Sequence, residues 1–280
     1  MNRLKKKHRR PNTPILTLLT DFGLNDEYVG VVKGVILTYA PDAHIVDITH
    51  LIPPQNVRAA SHQLARAYPY FPPGTVHLVV VDPGVGTSRA ILAVAADGQY
   101  FVGPDNGVFT PVFLRATSLT VHQVTASHLF LSKVGTTFHG RDIMAPVAAR
   151  LAAGLDLNTV GPAMPVQDCI HAHYGKTIRK GGMLLGEILH VDRFGNLCTN
   201  ISRQEVESFA AGREVVVKVG EKIVIPLRHS YAKQAIGKLL ALYDSHDHLE
   251  IAVNRGNAAL ELNMVVGATV AVTAEKEKKI

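Results

Sequence analysis

Residues 75–92 read Thr75-Val76-His77-Leu78-Val79-Val80-Val81-Asp82-Pro83-Gly84-Val85-Gly86-Thr87-Ser88-Arg89-Ala90-Ile91-Leu92. A β-branched, apolar run from Val76 to Val81 stops abruptly at an Asp-Pro-Gly turn. Such a run bounded by turn residues predicts a strand buried on both faces, as in the middle of a parallel sheet. Ligands of open α/β sheets gather beyond the carboxyl ends of these strands. Asp82 and Arg89 therefore fall where chemistry is expected, on a loop tightened by Gly84 and Gly86. Taken alone, they fit equally well a plain strand-ending turn followed by a solvated arginine.

On the N-terminal side, Pro14 to Phe22 predicts a first buried strand ending in Asp21-Phe22-Gly23. A helical pattern follows from Tyr28 to Tyr39, with Asn25 or Asp26 expected as its cap and Glu27 in its first turn. Ile45 to Thr49 predicts a short strand and Asn56 to Ala67 a helix, after which Pro72-Pro73-Gly74 leads into the central strand. This β-α-β-α-β alternation implies a largely parallel sheet with right-handed crossovers. Beyond Arg89, Ile91–Ala95 and Tyr100–Val102 flank Asp97-Gly98, a hairpin signal. A polar loop from Gly103 to Gly107, a helix from Val108 to Arg115 and a strand from Leu119 to Val124 come next. A second polar loop ends in Phe138-His139-Gly140-Arg141-Asp142, and Ile143 to Ala153 predicts a helix closed by Gly154.

The character of the chain changes near residue 165. Leu184–Val191, Leu197–Ile201, Glu214–Val219, Ile223–Leu227, Leu249–Val253 and Thr269–Val272 predict short strands joined by Gly and polar turns, with little helix between them. That is the pattern of a small antiparallel barrel or sandwich. The expected organisation is a basic tail (1–13), a Rossmann-like α/β domain with a mostly parallel sheet (14–165), a linker (166–181) and an antiparallel β-barrel domain (182–280).

Composition narrows the function classes. With 280 residues, 47% hydrophobic and 19% charged, the chain reads as globular and long enough for two cores. No apolar stretch reaches the roughly 18 residues of a membrane span. Met1 to Arg10 does not read as a secretory signal, because no apolar segment of the right kind follows it. Cys169 and Cys198 cannot make a disulfide framework, so a cytoplasmic protein with reduced thiols is expected. The net charge of +6 resides mainly in Lys5, Lys6, Lys7, Arg9 and Arg10 at one end and Lys276, Lys278 and Lys279 at the other. Basic tails of this kind are usually solvated and disordered, and a near-neutral body argues against nucleic-acid binding.

Several familiar motifs are missing. Gly84-Val85-Gly86 lacks the third glycine of a dinucleotide fingerprint, and there is no Gly-Lys-Ser/Thr loop. Cys169-Ile170-His171-Ala172-His173 alternates potential metal ligands, but only three are local and no partner motif follows. A Gly-x-Ser-x-Gly elbow is absent. What remains is a set of polar residues on loops at strand ends: Asp21, Asp26, Asp82, Arg89, Asn106, His139, Asp192, Asn196 and Ser245. Loop carboxylates held by a rigid sheet are more often functional than those on helix surfaces.

The ordered motifs resemble the S-adenosyl-L-methionine (SAM) hydroxide adenosyltransferases, or SAM hydrolases, a family that also includes fluorinating and chlorinating enzymes. The resemblance runs from Thr17 to about Val272. It rests on Thr20-Asp21-Phe22-Gly23, Val46-Asp47-Ile48-Thr49-His50, Asp82 to Thr87 with Arg89, Pro104-Asp105-Asn106-Gly107, Phe138 to Asp142, Asp192-Arg193-Phe194-Gly195-Asn196, and Ile251-Ala252-Val253-Asn254 with Asn257-Ala258-Ala259. It implies a homotrimer whose substrate lies between the N-terminal domain of one subunit and the C-terminal domain of the next, with no nucleic-acid or membrane partner and no metal or organic cofactor. Asp21 would hold the ribose hydroxyls, and Phe194 and Asn196 the adenine. Asp26, Asp192 and Ser245 would hold the amino-acid end of methionine, and Asn106 and Asn254 complete the substrate-binding set. Asp82, Arg89 and His139 would activate water.

Elementary chemistry agrees with these roles. An aspartate can accept two hydrogen bonds from a ribose diol, a carboxylate suits an ammonium group, and Phe194 offers a face to a purine. The sulfonium leaves as a neutral thioether, so in-line attack on C5′ needs an aligned water. Arg89, always protonated, cannot be the base, and beside Asp82 it weakens that carboxylate as one. Late proton transfer is therefore expected, with His139 orienting the water or relaying its proton. Where halogenating relatives have a tyrosine, this chain has Asp82, whose charge would repel halide. Gly140 fits both hydrolysing and chlorinating relatives and is expected to leave room for a larger nucleophile. His246 stands where fluorinating relatives have an arginine. The expected activity is hydrolysis of SAM to adenosine and L-methionine. The alternatives are a halogenase-like transferase and a non-catalytic SAM or adenosine sensor.

Overall fold

A computed structural model describes residues 13–172, 175–220 and 223–274. The basic clusters of both tails and His173 lie outside the described residues. The chain divides into two compact units, one ending at Ala172 and the other beginning at His173.

In the first unit the strands are β1 (Ile15–Thr20), β2 (His44–Thr49), β3 (Val76–Val80), β4 (Ile91–Ala96), β5 (Gln99–Pro104) and β6 (Leu119–Gln123). They form one sheet in the order β2-β1-β3-β5-β4-β6. β1 pairs in parallel with β2 and β3, and β3 with β5, whereas β4 runs antiparallel to both its neighbours. The sheet is therefore mixed, with a parallel centre and an antiparallel edge. Asp97 (φ +47°) and Gly98 (φ +81°) supply the two left-handed residues of the tight β4–β5 hairpin.

Helices α1 (Tyr28–Tyr39), α2 (Val57–Ala67), α3 (Thr110–Arg115) and α4 (Ala145–Ala152) cover the two faces. Alternation along the strands sorts the core. Leu16, Leu18, Val76, Leu78 and Val80 pack on the face with Val32, Ile36 and Val147. Leu19, Val79, Val81, Val94 and Phe101 pack on the other, with Ala60, Leu64 and Phe109. Burial on both faces is why β3 reads as an unbroken apolar run.

Asn56 caps α2, its side chain accepting from the Ala59 N–H at 2.9 Å. The expected cap of α1 is not formed: Glu27 occupies the cap position and makes no side-chain capping bond. The helix expected from Ile143 starts earlier, as a π-helical turn over Gly140–Met144 that runs into α4. Such turns cluster at functional sites.

The second unit contains β7 (Ile178–Lys180), β8 (Met183–Val191), β9 (Leu197–Ser202), β10 (Val215–Val219), β11 (Ile223–Pro226), β12 (Leu239–Tyr243), β13 (His248–Val253) and β14 (Thr269–Ala274). The sheet order is β11-β10-β14-β8-β9-β13-β12, with β7 added on β8, and every ladder is antiparallel. A bridge between Leu227 and Ala241 ties the β11 end to β12 and nearly closes the barrel. Leu184, Ile188, Leu197, Val217, Ile251 and Val272 fill it.

Two strands and two helices went unpredicted here: β7, β12, α5 (Arg203–Ala210) and α6 (Ala258–Leu262). Helix α5 carries a complete capping box, in which Ser202 and Glu205 each hold the other's backbone N–H. Among the described residues, no helix is long and apolar enough to cross a membrane.

Candidate active site

The turn after β3 is built from its own backbone. Val85 N–H donates to the Asp82 carbonyl at 3.3 Å, and Thr87 N–H and Oγ1 donate to the Gly84 carbonyl at 3.1 and 2.7 Å. Asn106, expected to bind substrate, braces this turn: its Nδ2 donates to the Val81 carbonyl at 2.9 Å, and its Oδ1 accepts from Val108 N–H at 3.2 Å. Gly86, at φ +80°, lies so near the 135–139 loop that a Cβ would sit 2.6 Å from the Thr136 carbonyl oxygen. Only glycine fits that approach.

This packing delivers the side chains. Arg89 Nε donates to both carboxylate oxygens of Asp82, at 2.9 and 3.0 Å, and its Nη2 also pairs with Asp82 Oδ2. The same Nη2 lies 3.1 Å from His139 Nδ1. A guanidinium only donates, so Nδ1 of His139 accepts and the ring proton resides on Nε2. Burial, and then the charge of Arg89, hold the His139 pKa below the ordinary imidazole range. At neutral pH the ring is therefore uncharged. The side chains of Asp82 and Arg89 are only 6% and 9% exposed.

Asp142 anchors the His139 loop. Fully buried, it accepts from Gly135 N–H at 2.8 Å and from Arg141 Nε at 2.6 Å. Burial opposes its ionisation, yet the hydrogen bonds from Arg141 and Gly135 hold its pKa below the usual carboxylate value. Gly140 offers no spare room: a Cβ there would meet Val80 Cγ1 at 2.6 Å. It is a packing glycine that lets the π-turn press on β3, which corrects the expectation of space for a larger nucleophile.

The loop after β1 meets the same region through aromatic contacts. Phe22 and Tyr28 contact Phe138, the neighbour of His139, with ring centroids 5.6 and 5.4 Å apart. Asp21 Oδ2 accepts from Gln55 N–H at 2.7 Å, and His50 clamps the turn by accepting from Gly23 N–H on its carbonyl at 2.8 Å. Asp26 stands exposed in the turn before α1. Unit 1 thus brings together Asp82, Arg89 and His139, with Asp21 and Asp26 on the neighbouring β1 loop.

In the second unit, Asp192 organises the β8–β9 turn. Its Oδ1 accepts from Phe194 and Asn196 N–H, both at 2.8 Å, and its Oδ2 accepts from Asn196 Nδ2 at 2.9 Å. Gly195 is at φ +81°, and a Cβ would lie 2.1 Å from Asn257 Cγ. Phe194 is left 75% exposed, while Asn196 is 6% exposed. Both line an open groove of about 480 Å³ together with Tyr231, Val253, Asn254, Arg255 and Gly256. Asn254 is fixed there, its Nδ2 donating to the Gln234 carbonyl at 2.7 Å. Ser245, exposed, lies on the Asp244–Asp247 turn with its Oγ 3.1 Å from His246 Nδ1, and does not line this groove.

Comparisons with known proteins match this arrangement. The SAM hydroxide adenosyltransferase N-terminal domain matches residues 16–161, and the C-terminal domain of the same family matches residues 186–271. The chain belongs to the SAM hydroxide adenosyltransferase family. It is 42% identical over 260 residues to the (R)-S-adenosyl-L-methionine hydrolase of Thermus thermophilus, covering 90% of this chain and 96% of that one. A fluorinase of Actinoplanes sp. is 28% identical over 290 residues, covering 93% and 97%. A crystal structure of an uncharacterised conserved protein from Thermotoga maritima superposes with a TM-score of 0.87 at 41% identity, covering 92% of this chain and 99% of that one.

Within this adenosyltransferase fold, sequence reasoning missed the residues behind the groove. Tyr231 Oη donates to Glu250 Oε1 at 2.5 Å, and Asn196 Nδ2 reaches Tyr231 Oη at 3.3 Å. Neither residue belongs to a motif, so nothing local marks them. Cys198, Asp244 and Glu250 bring potential ligand atoms within 4.8 Å of one another, but Glu250 already accepts from Tyr231 and from the Cys198 thiol at 3.9 Å. In the Cys169–His171 segment, Cys169 Sγ donates to the Pro165 carbonyl at 3.8 Å and His171 Nε2 lies 3.0 Å from the Val166 carbonyl. Burial pushes the Cys169 thiol up to about 11, away from the thiolate a metal would need.

Proposed function

We propose that the chain hydrolyses SAM to adenosine and L-methionine by in-line attack of water on C5′. The O–C5′ bond forms as the C5′–S bond breaks, and its electron pair returns to sulfur, leaving methionine as a neutral thioether. Asp82 accepts the water proton late in the step and passes it to solvent. Arg89 fixes the plane of the carboxylate through its paired contacts. His139, whose Nδ1 already accepts from Arg89, serves to position Arg89 and is not the first proton acceptor. The chemistry assigned here asks for no metal or organic cofactor, since the leaving group needs no added activation.

The observation that carries this reading is the Asp82–Arg89–His139 array, a carboxylate with one fixed cationic partner and a neutral imidazole behind it. The relative named a SAM hydrolase supports the same reading at 42% identity. Asp21 is assigned to the ribose diol, Phe194, Asn196 and Asn254 to the base, and Asp26, Asp192 and Ser245 to the methionine end. Asn106 is assigned to the brace behind Asp82. The proposal includes a homotrimer in which residues from two subunits complete each site, and a cytoplasmic location, in keeping with two buried cysteines that are not joined in a disulfide.

The test is incubation with SAM in halide-free buffer made with ¹⁸O water, followed by chromatography and mass spectrometry. Adenosine carrying one ¹⁸O at the 5′ position, with an equal amount of unlabelled methionine, is expected. Absence of adenosine, or adenosine without label, overturns the reading.

A further inference from the structure

The amide of Asn196 faces the groove of the second unit and is oriented from behind. Asp192 Oδ2 accepts from its Nδ2 at 2.9 Å, and Tyr231 Oη accepts from the same nitrogen at 3.3 Å. Tyrosine has one hydroxyl proton, and here it goes to Glu250 Oε1 at 2.5 Å. The Tyr231 oxygen therefore turns only lone pairs toward Asn196. Burial, followed by the Glu250 hydrogen bond, pushes the Tyr231 pKa well above the ordinary phenol value, which keeps that proton in place. Glu250 is itself 6% exposed on β13, and its Oε2 accepts from Cys198. Both hydrogens of the Asn196 amide are thus committed to acceptors, and its carbonyl oxygen is the group left to face the groove.

We propose that Glu250, acting through Tyr231, is a specificity-determining positioning residue: it holds Asn196 so that the groove offers an acceptor to the base, selecting a purine with a 6-amino group over one with a 6-oxo group. The inference rests on the reading that this groove takes the base of SAM. A 6-amino group donates to the amide oxygen. A 6-oxo group sets two acceptors against each other and leaves both unpaired. Sites that read a polar group by hydrogen bonding reject mismatched analogues by about a hundredfold or more. Without Glu250, the Tyr231 proton is free to turn toward the Asn196 amide, which then keeps only its Asp192 contact and is held less firmly with its acceptor toward the groove.

The experiment measures kcat/KM for SAM and for its 6-oxo counterpart, S-inosyl-L-methionine, on the full-length protein. The wild-type ratio is expected at about 100 or above. Glu250→Gln and Tyr231→Phe should each lower it about tenfold, and the double variant no further, because Glu250 acts only through Tyr231. A general structural defect would slow both substrates alike and leave the ratio unmoved. Asn196→Ala separates the two layers. If it collapses the ratio while Glu250→Gln and Tyr231→Phe keep the wild-type value, the positioning role is overturned and the base site stands. If Asn196→Ala also keeps the wild-type ratio, the base is not read here and the proposal falls with that assignment. Should Glu250→Gln not fold, Tyr231→Phe, which loses one oxygen, decides the matter by the same ratio.

Discussion

Arg89 holds Asp82 from the side, with Nε 2.9 and 3.0 Å from its two carboxylate oxygens, while its Nη2 reaches His139 Nδ1 at 3.1 Å. One cation therefore sets both the plane of the carboxylate and the tautomer of the imidazole. The proposed division of roles, Asp82 as proton acceptor and His139 as positioning residue, rests on this geometry.

Asp82→Asn keeps the size of the side chain but removes the proposed acceptor for the water proton. Positioned general bases contribute about 10²- to 10⁴-fold. A drop in kcat of at least about a hundredfold is expected, with SAM binding changed by less than about tenfold. Single-turnover assays and calorimetry check the two numbers. Full activity in a folded Asp82→Asn protein removes the residue from the mechanism.

Chloride should not replace water. Two unit charges about 4 Å apart at an effective dielectric of about 20 repel by roughly 4 kcal/mol, although Arg89 offsets much of this. Chloride also has no hydrogen to give the lone pairs of Asp82. Molar chloride is expected to yield no detectable 5′-chloro-5′-deoxyadenosine, measured by mass spectrometry at matched ionic strength. A chlorinated product from the unmutated protein would reverse the choice of hydrolase over halogenase.

The close approach of two loops predicts unequal costs for two neighbouring glycines. At Gly86 a Cβ meets the Thr136 carbonyl at 2.6 Å and φ is +80°, whereas at Gly84 the nearest atom is Arg89 Cγ at 3.3 Å. Gly86→Ala should cost about 2 kcal/mol or more and lower kcat by displacing the His139 loop, while Gly84→Ala costs under about 1 kcal/mol. Urea denaturation ranks them, and equal stabilities would count against the loop contact.

His77 makes stability depend on pH. It is fully buried on β3, with Nδ1 2.7 Å from Thr17 Oγ1, and burial lowers its pKa from 6.5 to about 4. In the unfolded chain the imidazole titrates near 6.5, so the unfolded state binds a proton that the folded state refuses. The associated stability is fully present above pH 6.5 and is lost as pH falls toward 4. Relative to pH 8 the loss is about 2 kcal/mol at pH 5 and about 3 kcal/mol by pH 4. Denaturation of wild type and His77→Gln over this range should show the slope in the former and a flatter profile in the latter; parallel profiles would exclude His77 as the cause.

The amino-acid sequence by itself determined the elements whose signals are local. The apolar run Val76–Val81 ending at Asp82-Pro83-Gly84 marked the central strand, and Asp97-Gly98 marked the hairpin, because burial on both faces and left-handed turn residues leave traces within a few positions. Six barrel strands were legible for the same reason. Helix α5 was legible too, in Ser202 and Glu205, but its capping box went unread. Ordered motifs also marked Asp82, Arg89, His139, Phe194 and Asn196 as candidate site residues. Only tertiary structure decided how these side chains are held. It joined Arg89 to a histidine fifty residues away, turned Gly140 from spare volume into a packing contact with Val80, and committed the Asn196 amide to Asp192 and Tyr231, with Tyr231 held in turn by Glu250. Periodicity and turn chemistry act between near neighbours along the chain. The donor and acceptor directions of a site are set by groups far apart in sequence, whose desolvation on packing obliges each buried polar atom to find a partner.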